Sequence, residues 1–580
     1  MTDAETTQVG AIAVARRLWR APLPLHLCVL AAVLVLCAWY TRPGFGWTSD
    51  EGAAILQAEL LDHGTWIYDN PVPEVDPEGV LSPFPIGDHG SRGLAPYGKH
   101  PLYPRLLQLV GAVGGDWGLV GLSVAGTVLA AASGGLLAQR FSPSLARPAL
   151  WALGLASPLF IDAFAVLAHT IAAASFGWAV LAIWESHERR SLARGALIAA
   201  GCALVVVTGL LRTEGVLAGG ALGIALGALA IVWRSRWMLV AAAVTATSIG
   251  ATFVTERVLV RSILGTASPR PGLRLSHRPR PWVLGRVEAL WNDWLDPGVG
   301  GRFTLGVVVV VAALVLLVVG AARARIDRRG APLALALSAA LACYGIRLLS
   351  PPLELFGLFA AFPILLVGVV LLTRGQFATP LPTLLGLTTA LFAAAVLATN
   401  YPVGGSIQWG GRYFAVILPV FTPLGLDAIR RASSVWQPAT AHRVVALSVA
   451  VSLTVALIGL RVIRHRHDSV AATQVALSEL SSVAGGAGVG AHPDRPIVVS
   501  YNRLVPQLLF GGFDRYVWLA PDVRDGSGAL AAEGLAGAGV ERVILFDAPG
   551  IPRGQWAEWE PVASRSTPLG RVVVIERIPR

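Results

Sequence analysis

The stretch LPLHLCVLAAVLVLCAWYTRPGFGWTSDEGAAILQAELLD, residues 23–62, decides how the chain is read. Its first half is apolar as far as Trp39 and Tyr40, long enough to cross about 30 Å of hydrocarbon. Its second half opens on Ser49, Asp50 and Glu51 and keeps a helical pattern to Asp62. Arg16, Arg17 and Arg20 precede the apolar run, as in a secretory leader. With no small-residue cleavage site after it, the run reads as a retained anchor. An acidic pair thus stands about ten residues beyond a membrane span, where it either caps a helix or serves a site.

Runs of this kind recur along the whole chain. Thirteen are expected to span, at 23–41, 117–138, 147–165, 167–184, 196–212, 214–233, 238–256, 303–321, 331–349, 355–373, 380–399, 413–429 and 443–461. The chain is 54% apolar and only 14% charged, which excludes a large soluble protein. Arginines fall on alternate connections: Arg140 and Arg147, then Arg189, Arg190 and Arg194, Arg234 and Arg236. They continue with Arg323, Arg325, Arg328 and Arg329, Arg374, and Arg430, Arg431 and Arg443, while the opposite short loops carry only Arg212 and Arg412. This asymmetry puts the N-terminus in the cytoplasm and the C-terminus outside. The net charge of +11 therefore reports topology and anionic headgroups, not a nucleic-acid partner.

The chain divides into a cytoplasmic tail, 1–22, a membrane module, 23–461, and an extracytoplasmic unit, 462–580. Two external loops, 42–116 and 257–302, interrupt the module. The first is Pro-rich and returns to the membrane through Tyr97-Gly98-Lys99-His100-Pro101-Leu102. The second holds eight arginines, and Val283, Leu284, Val287, Leu290, Trp291, Trp294 and Leu295 recur in it at the spacing of a helix lying flat in the interface. In the last unit, β-rich runs at 497–499, 516–519, 542–546 and 571–575 alternate with a helical stretch near 527–538, the pattern of a small α/β domain with a structural or gating role. Gly511-Gly512 is no dinucleotide fingerprint. Cys28, Cys37, Cys202 and Cys343 all fall inside spans without metal-ligand or disulfide spacing.

Ionisable residues at membrane depth are costly and tend to mark a pathway or a site. Asp50, Glu51, Asp162, His169, Arg212, Glu214 and Arg412 all fall at external ends of spans. They define one polar cavity on that side. Arg212 and Glu214 either pair with each other across a tight turn or bind a ligand. His169 alone reads as a hydrogen-bonded structural residue. Trp409 beside Arg412 suits a sugar or a phosphorylated lipid, and Tyr413 reads as an interfacial anchor. Lys99 is the single lysine among 46 basic residues. A compact ammonium suits one phosphate oxygen better than a planar guanidinium does.

The acidic pair after the first span, the loop ending in Tyr97-x-Lys99-x-Pro101 and the second acidic residue, Asp162, together resemble the GT-C glycosyltransferases. The branch with protein O-mannosyltransferases and lipid A aminoarabinose transferase is the most similar. Arg212-Thr213-Glu214 and Trp409-Gly410-Gly411-Arg412-Tyr413 resemble its bacterial, especially actinobacterial, members. Lys99-His100-Pro101-Leu102 departs from the Lys-Pro-Pro-Leu common in the aminoarabinose branch, and the C-terminal unit is unlike the lectin-like domain of eukaryotic mannosyltransferases.

The resemblance implies an all-α polytopic bundle with a small external α/β domain. It implies transfer, with inversion, of a sugar from a polyprenyl-phosphate donor to a glycan, lipid or protein acceptor at the outer face of the membrane. Asp50 is then the general base, with Glu51 or Asp162 orienting the acceptor. Lys99, His100, Arg212 and Arg412 bind the donor phosphate, and His169, Glu214, Trp409 and Tyr413 contact substrate. No cofactor and no metal are expected. A flippase for a lipid-linked sugar is the alternative, although the chain lacks the internal repeats and mid-membrane polar residues that suit a transporter. A reporter active only outside the cytoplasm should be active fused after Arg580 and silent fused near Arg328. The reverse pattern would place every candidate residue on the wrong side.

Overall fold

The computed structural model describes residues 21–42, 46–83, 96–97, 100–189, 191–264, 282–298, 304–399, 409–486, 488, 490, 492–521, 526–546 and 555–579. Helices dominate it: α1 Leu23–Thr41, α2 Ser49–Asp62, α3 Leu102–Gln139, α4 Ala146–Trp151, α5 Pro158–Asp162, α6 His169–Glu185, α7 Ser191–Leu211, α8 Thr213–Val232 and α9 Arg236–Leu264. The series continues with α10 Trp282–Trp294, α11 Leu305–Asp327, α12 Ala331–Leu349, α13 Leu358–Ala361, α14 Pro363–Leu371, α15 Pro380–Thr399, α16 Leu418–Ser433 and α17 Pro438–Ala484. Among the described residues ten helices are long and apolar enough to cross a membrane. The other three expected spans are the 17-residue α6 and two interrupted segments.

Both interruptions have a covalent cause. Proline lacks an N–H and clashes with the preceding turn, so a helix tends to stop or restart at one, although Pro423 is accommodated inside α16. Pro158 starts α5 after a π-helical turn at Ala152–Ala156, and Ser157 caps the new helix by accepting from Leu159 N. Pro363 starts α14 after Phe362 leaves helical geometry. The second expected span begins earlier than its apolar run, because α3 starts at Leu102 and kinks at Gly115, whose φ is 53°.

Followed along their axes, α3 leads from His100 to Arg140, and α16 leads from the Arg412 turn to Arg430 and Arg431. Arg325, Arg328 and Arg431 line one cavity at that far end, and Arg430 lines another beside Ser144 and Pro148. The arginine-rich connections thus share one end of the bundle and the candidate residues the other. At that second end α10 turns Val283, Leu284, Val287, Leu290 and Trp291 outward. Its Arg286 points inward and donates to Leu397 O at 2.7 Å. An outward apolar stripe on a helix beside the bundle's end suits the interfacial position expected for it.

The last helix does not stop at residue 461. α17 holds 47 residues and is roughly 70 Å long, over twice the thickness of the hydrocarbon core. It carries the C-terminal unit: α18 Leu504–Leu508, α19 Ser527–Gly537 and strands β1 Ile497–Ser500, β2 Val517–Leu519, β3 Arg542–Phe546, β4 Trp559–Thr567 and β5 Gly570–Arg577. The sheet order is β2-β1-β3-β5-β4, with β1 parallel to β2 and β3, and β5 antiparallel to β3 and β4. The first external loop belongs to this body. Val72, Val75 and Leu81 share a core with Val499, Leu519 and Leu535, and Ala520 N donates to Leu81 O at 2.6 Å.

The same body rests on α2. A Cβ at Gly52 would fall 1.7 Å from Gln507 O, so only glycine permits this approach. At the far end of α2, burial pushes the Glu59 carboxyl up to about 7, with Asp514, Asp116 and Asp62 adding to the effect. A carboxyl that binds its proton more tightly when folded favours the folded state at low pH, and this advantage fades as pH rises through the folded value. Thermal stability in detergent should fall between about pH 5 and 8, and Glu59→Gln should flatten the fall. Equal slopes for the two proteins would remove Glu59 as the cause.

Candidate functional site

Thr48 starts α2: its side chain accepts from Glu51 N at 3.2 Å. Within the first turn the acidic pair divides its work. Glu51 is fully buried, and its Oε2 accepts from Gly46 N at 2.9 Å and Trp47 N at 2.7 Å. Its Oε1 accepts from Val166 N at 2.6 Å. With both oxygens committed to the backbone, Glu51 is a clamp between two loops and not the acceptor-orienting group expected of it. Asp50 projects instead toward Arg412, whose Nη1 lies 3.1 Å from Asp50 Oδ2 although the residues are 362 apart in sequence.

Two glycines deliver that arginine. Gly410 and Gly411 have φ of 68° and 63°, and their N–H groups donate to Leu355 O and Phe356 O. A Cβ would fall 2.4 Å from Pro158 at the first position and 2.5 Å from Asp293 O at the second. Arg412 then lies over the Tyr413 ring, 5.0 Å from its centroid, with Nη2 donating to Tyr413 Oη at 3.3 Å. Tyr413 and Trp409 are both buried, so Tyr413 supports the guanidinium and is not the interfacial anchor expected.

Arg212 and Glu214 form the expected pair. Arg212 occupies the extended N-cap position of α8, and its Nε and Nη2 meet Glu214 Oε2 and Oε1 at 3.0 and 3.2 Å. This is the planar two-point contact that only a guanidinium makes. Asp162 ends α5 and His169 begins α6, with His169 Nδ1 3.2 Å from Asp162 Oδ2. The charges of Arg212 and Arg412 both act on His169. The four groups therefore share one neighbourhood.

His100 is placed differently from expectation. Its Nε2 lies 3.0 Å from Thr213 Oγ1 and its Nδ1 3.1 Å from Glu256 Oε1, so both ring nitrogens face protein. It ties the returning loop to α8 and α9 rather than meeting a phosphate. Lys99 lies outside the described residues. Two tyrosines also lie here: Tyr97 is buried, with its N–H donating to Gln57 Oε1 at 3.3 Å and its phenol within the field of Arg212, Asp50, Glu214 and Arg412, and Tyr103 is fully buried. Burial pushes the Tyr97 phenol well up, so it stays a neutral hydroxyl. The signal for both was the pair of tyrosines flanking the lone lysine.

Buried polar atoms normally have partners. Among the described residues Trp47 Nε1, His169 Nε2, Thr170 Oγ1 and Arg412 Nε are buried without a hydrogen-bond partner. Trp47 Nε1 and Arg412 Nε can only donate. A site with two arginines and unpaired donors, whose carboxylates Asp50, Glu214 and Asp162 are engaged by Arg412, Arg212 and His169, suits an oxygen-rich anion. Among the described residues no group of three or more His, Cys, Asp or Glu is arranged to hold a metal ion.

An all-α membrane bundle with a site at one end, roofed by a small α/β unit on its last helix, is the GT-C fold. The structure of ArnT from Cupriavidus metallidurans bound to undecaprenyl phosphate superposes with a TM-score of 0.51 at 14% identity, covering 94% of this chain and 97% of that one. The archaeal oligosaccharyltransferase AglB from Archaeoglobus fulgidus, in complex with an inhibitory peptide and a dolichol-phosphate, is similar at 13% identity and a TM-score of 0.40, covering 90% of this chain and 69% of that one. No protein-family model and no curated protein sequence matches the chain.

Each backbone N–H held by Glu51 would cost about 1–3 kcal/mol if left buried and unpaired. Glu51→Ala should therefore lose several kcal/mol of stability, read as a large drop in melting temperature and in monodisperse yield. A variant melting like wild type would show that the clamp is dispensable.

Proposed function

We propose that this chain is a glycosyltransferase that moves a sugar from a polyprenyl-phosphate donor to an acceptor at the outer face of the cytoplasmic membrane, with inversion at the anomeric carbon. The observation that carries the reading is the contact between Asp50 and Arg412, whose Nε is buried with no partner among the described residues. The shared fold and the undecaprenyl phosphate bound by ArnT support the choice of a lipid phosphate as leaving group. The site's place at one end of the bundle favours chemistry at a surface over passage through the middle.

An acceptor hydroxyl attacks the anomeric carbon as Asp50 takes its proton, a contribution worth about 10²–10⁴-fold. The bond from that carbon to the phosphate oxygen breaks, and its electron pair stays on the phosphate. Arg412, Arg212 and Lys99 receive the growing negative charge, the largest electrostatic demand of the reaction. A phosphate arriving beside Arg412 competes with Asp50 for the guanidinium. Donor binding thus frees the carboxylate and raises its basicity when a base is needed. Inversion follows if Asp50 and the cations flank opposite faces of the sugar.

Asp50→Asn keeps the shape and the helix-capping capacity but cannot accept the proton. Transfer should fall by about 10²-fold or more while the protein stays folded and binds the donor at least as tightly as wild type, because the phosphate no longer competes with a carboxylate for Arg412. Activity within about tenfold of wild type would contradict the base role. Lys99→Arg should cost on the order of 10²-fold, because a longer planar cation displaces the phosphate, and Lys99→Ala more. Wild-type kinetics in Lys99→Arg would remove Lys99 from the site.

A further inference from the structure

His169 is 1% exposed and its Nε2 has no hydrogen-bond partner among the described residues. Its other nitrogen faces Asp162 Oδ2 at 3.2 Å. A neutral imidazole whose Nδ1 faces a carboxylate carries its proton there and leaves a lone pair at Nε2. His169 Nε2 is then a fixed hydrogen-bond acceptor, whereas Trp47 Nε1 and Arg412 Nε are donors. An anion alone would satisfy the donors and leave this lone pair unmet. The ligand must also present an O–H.

The dyad is rigidly mounted. The turn between α5 and α6 is held by Glu51 Oε1 at Val166 N and by Ser123 Oγ, which donates to Ala165 O at 2.7 Å. His169 begins α6, which packs against the Arg412–Ile417 turn and against α8 just after Arg212, while Pro158 of α5 lies under Gly410, so the imidazole shares its end of the bundle with both arginines. The sugar hydroxyl nearest an anomeric phosphate is the one on the adjacent ring carbon, C2. A contact to that hydroxyl strengthens as the anomeric carbon becomes cationic.

Resting on the glycosyltransferase reading, we propose that His169 accepts a hydrogen bond from the C2 hydroxyl of the donor sugar and that Asp162 positions His169 for it. The enzyme would then require a donor with a free hydroxyl at C2 and reject 2-deoxy and 2-O-methyl sugars. Asp162 becomes a positioning residue that acts through His169.

The test compares transfer by the full-length wild-type protein from polyprenyl-phosphate mannose, glucose and arabinose with transfer from their 2-deoxy counterparts. For whichever parent sugar is used, the 2-deoxy donor should lose on the order of 10²-fold or more in kcat/KM. In His169→Ala the parent donor should fall to a similar level while the 2-deoxy donor changes little, so the discrimination collapses. Asp162→Asn should reduce the discrimination partly. A purely structural role for either residue would slow both donors alike and preserve the ratio. Wild-type protein using parent and 2-deoxy donors within about threefold of each other would overturn the proposal without needing any variant, as would His169→Ala retaining wild-type discrimination. No transfer from any of the parent donors would instead overturn the glycosyltransferase reading on which the proposal rests.

Discussion

The buried carboxylate of Glu51 is the constraint on which the site depends. It gathers the N–H groups of Gly46 and Trp47 on one side and of Val166 on the other. Its own helix turn presents Asp50, and the loop it holds ends at the turn that carries His169. One side chain thus fixes the distance between the proposed base and the proposed sugar contact. An ionised group without exposure is tolerable only because backbone donors replace its water. The neighbouring Asp50 is left able to exchange partners because Glu51 is not.

A second constraint acts from above. The first external loop and the C-terminal sheet form one body through Val72, Val75 and Leu81, and that body contacts α2 at Gly52 and the segment before it at Gly46. The long helix α17 links it directly to the membrane module. Sheet, loop and α2 are therefore packed against one another. From below, the helix α10 touches the same site, because Asp293 O packs on Gly411 and Trp294 lies 4.4 Å from Phe414. The opposite face of the same helix carries the exposed apolar stripe of Val283, Leu284, Val287, Leu290 and Trp291.

How much of this the sequence disclosed follows from the range of each interaction. Apolar length is local, so most helices were legible, and α8 differs from its expected span by a residue at either end. Pro158 and Pro363 were equally visible, but their breaks are lost when only apolarity is counted. Strands β1, β2, β3 and β5 are buried and β-branched and were foreseen; β4 lies at the sheet edge with an exposed, polar pattern that carries no such signal. The strap of the first loop was hidden because its three anchoring residues are scattered among prolines. In the site, the pairing of Arg212 with Glu214 was one of two open readings, since the partners are two residues apart. The contact of Asp50 with Arg412 was not foreseeable as a contact, because only the folded bundle closes 362 residues of separation. The different fates of Asp50 and Glu51 depend on which way a helix faces, which the sequence does not state.

The central claim is transfer of a sugar from a lipid phosphate, and product analysis tests it most directly. Purified protein in liposomes would be given labelled polyprenyl-phosphate sugars together with membrane extract as the source of acceptor. The account predicts that label appears on a new product while free polyprenyl phosphate accumulates in equal amount. Label that stays on an intact lipid and merely crosses the bilayer would contradict it.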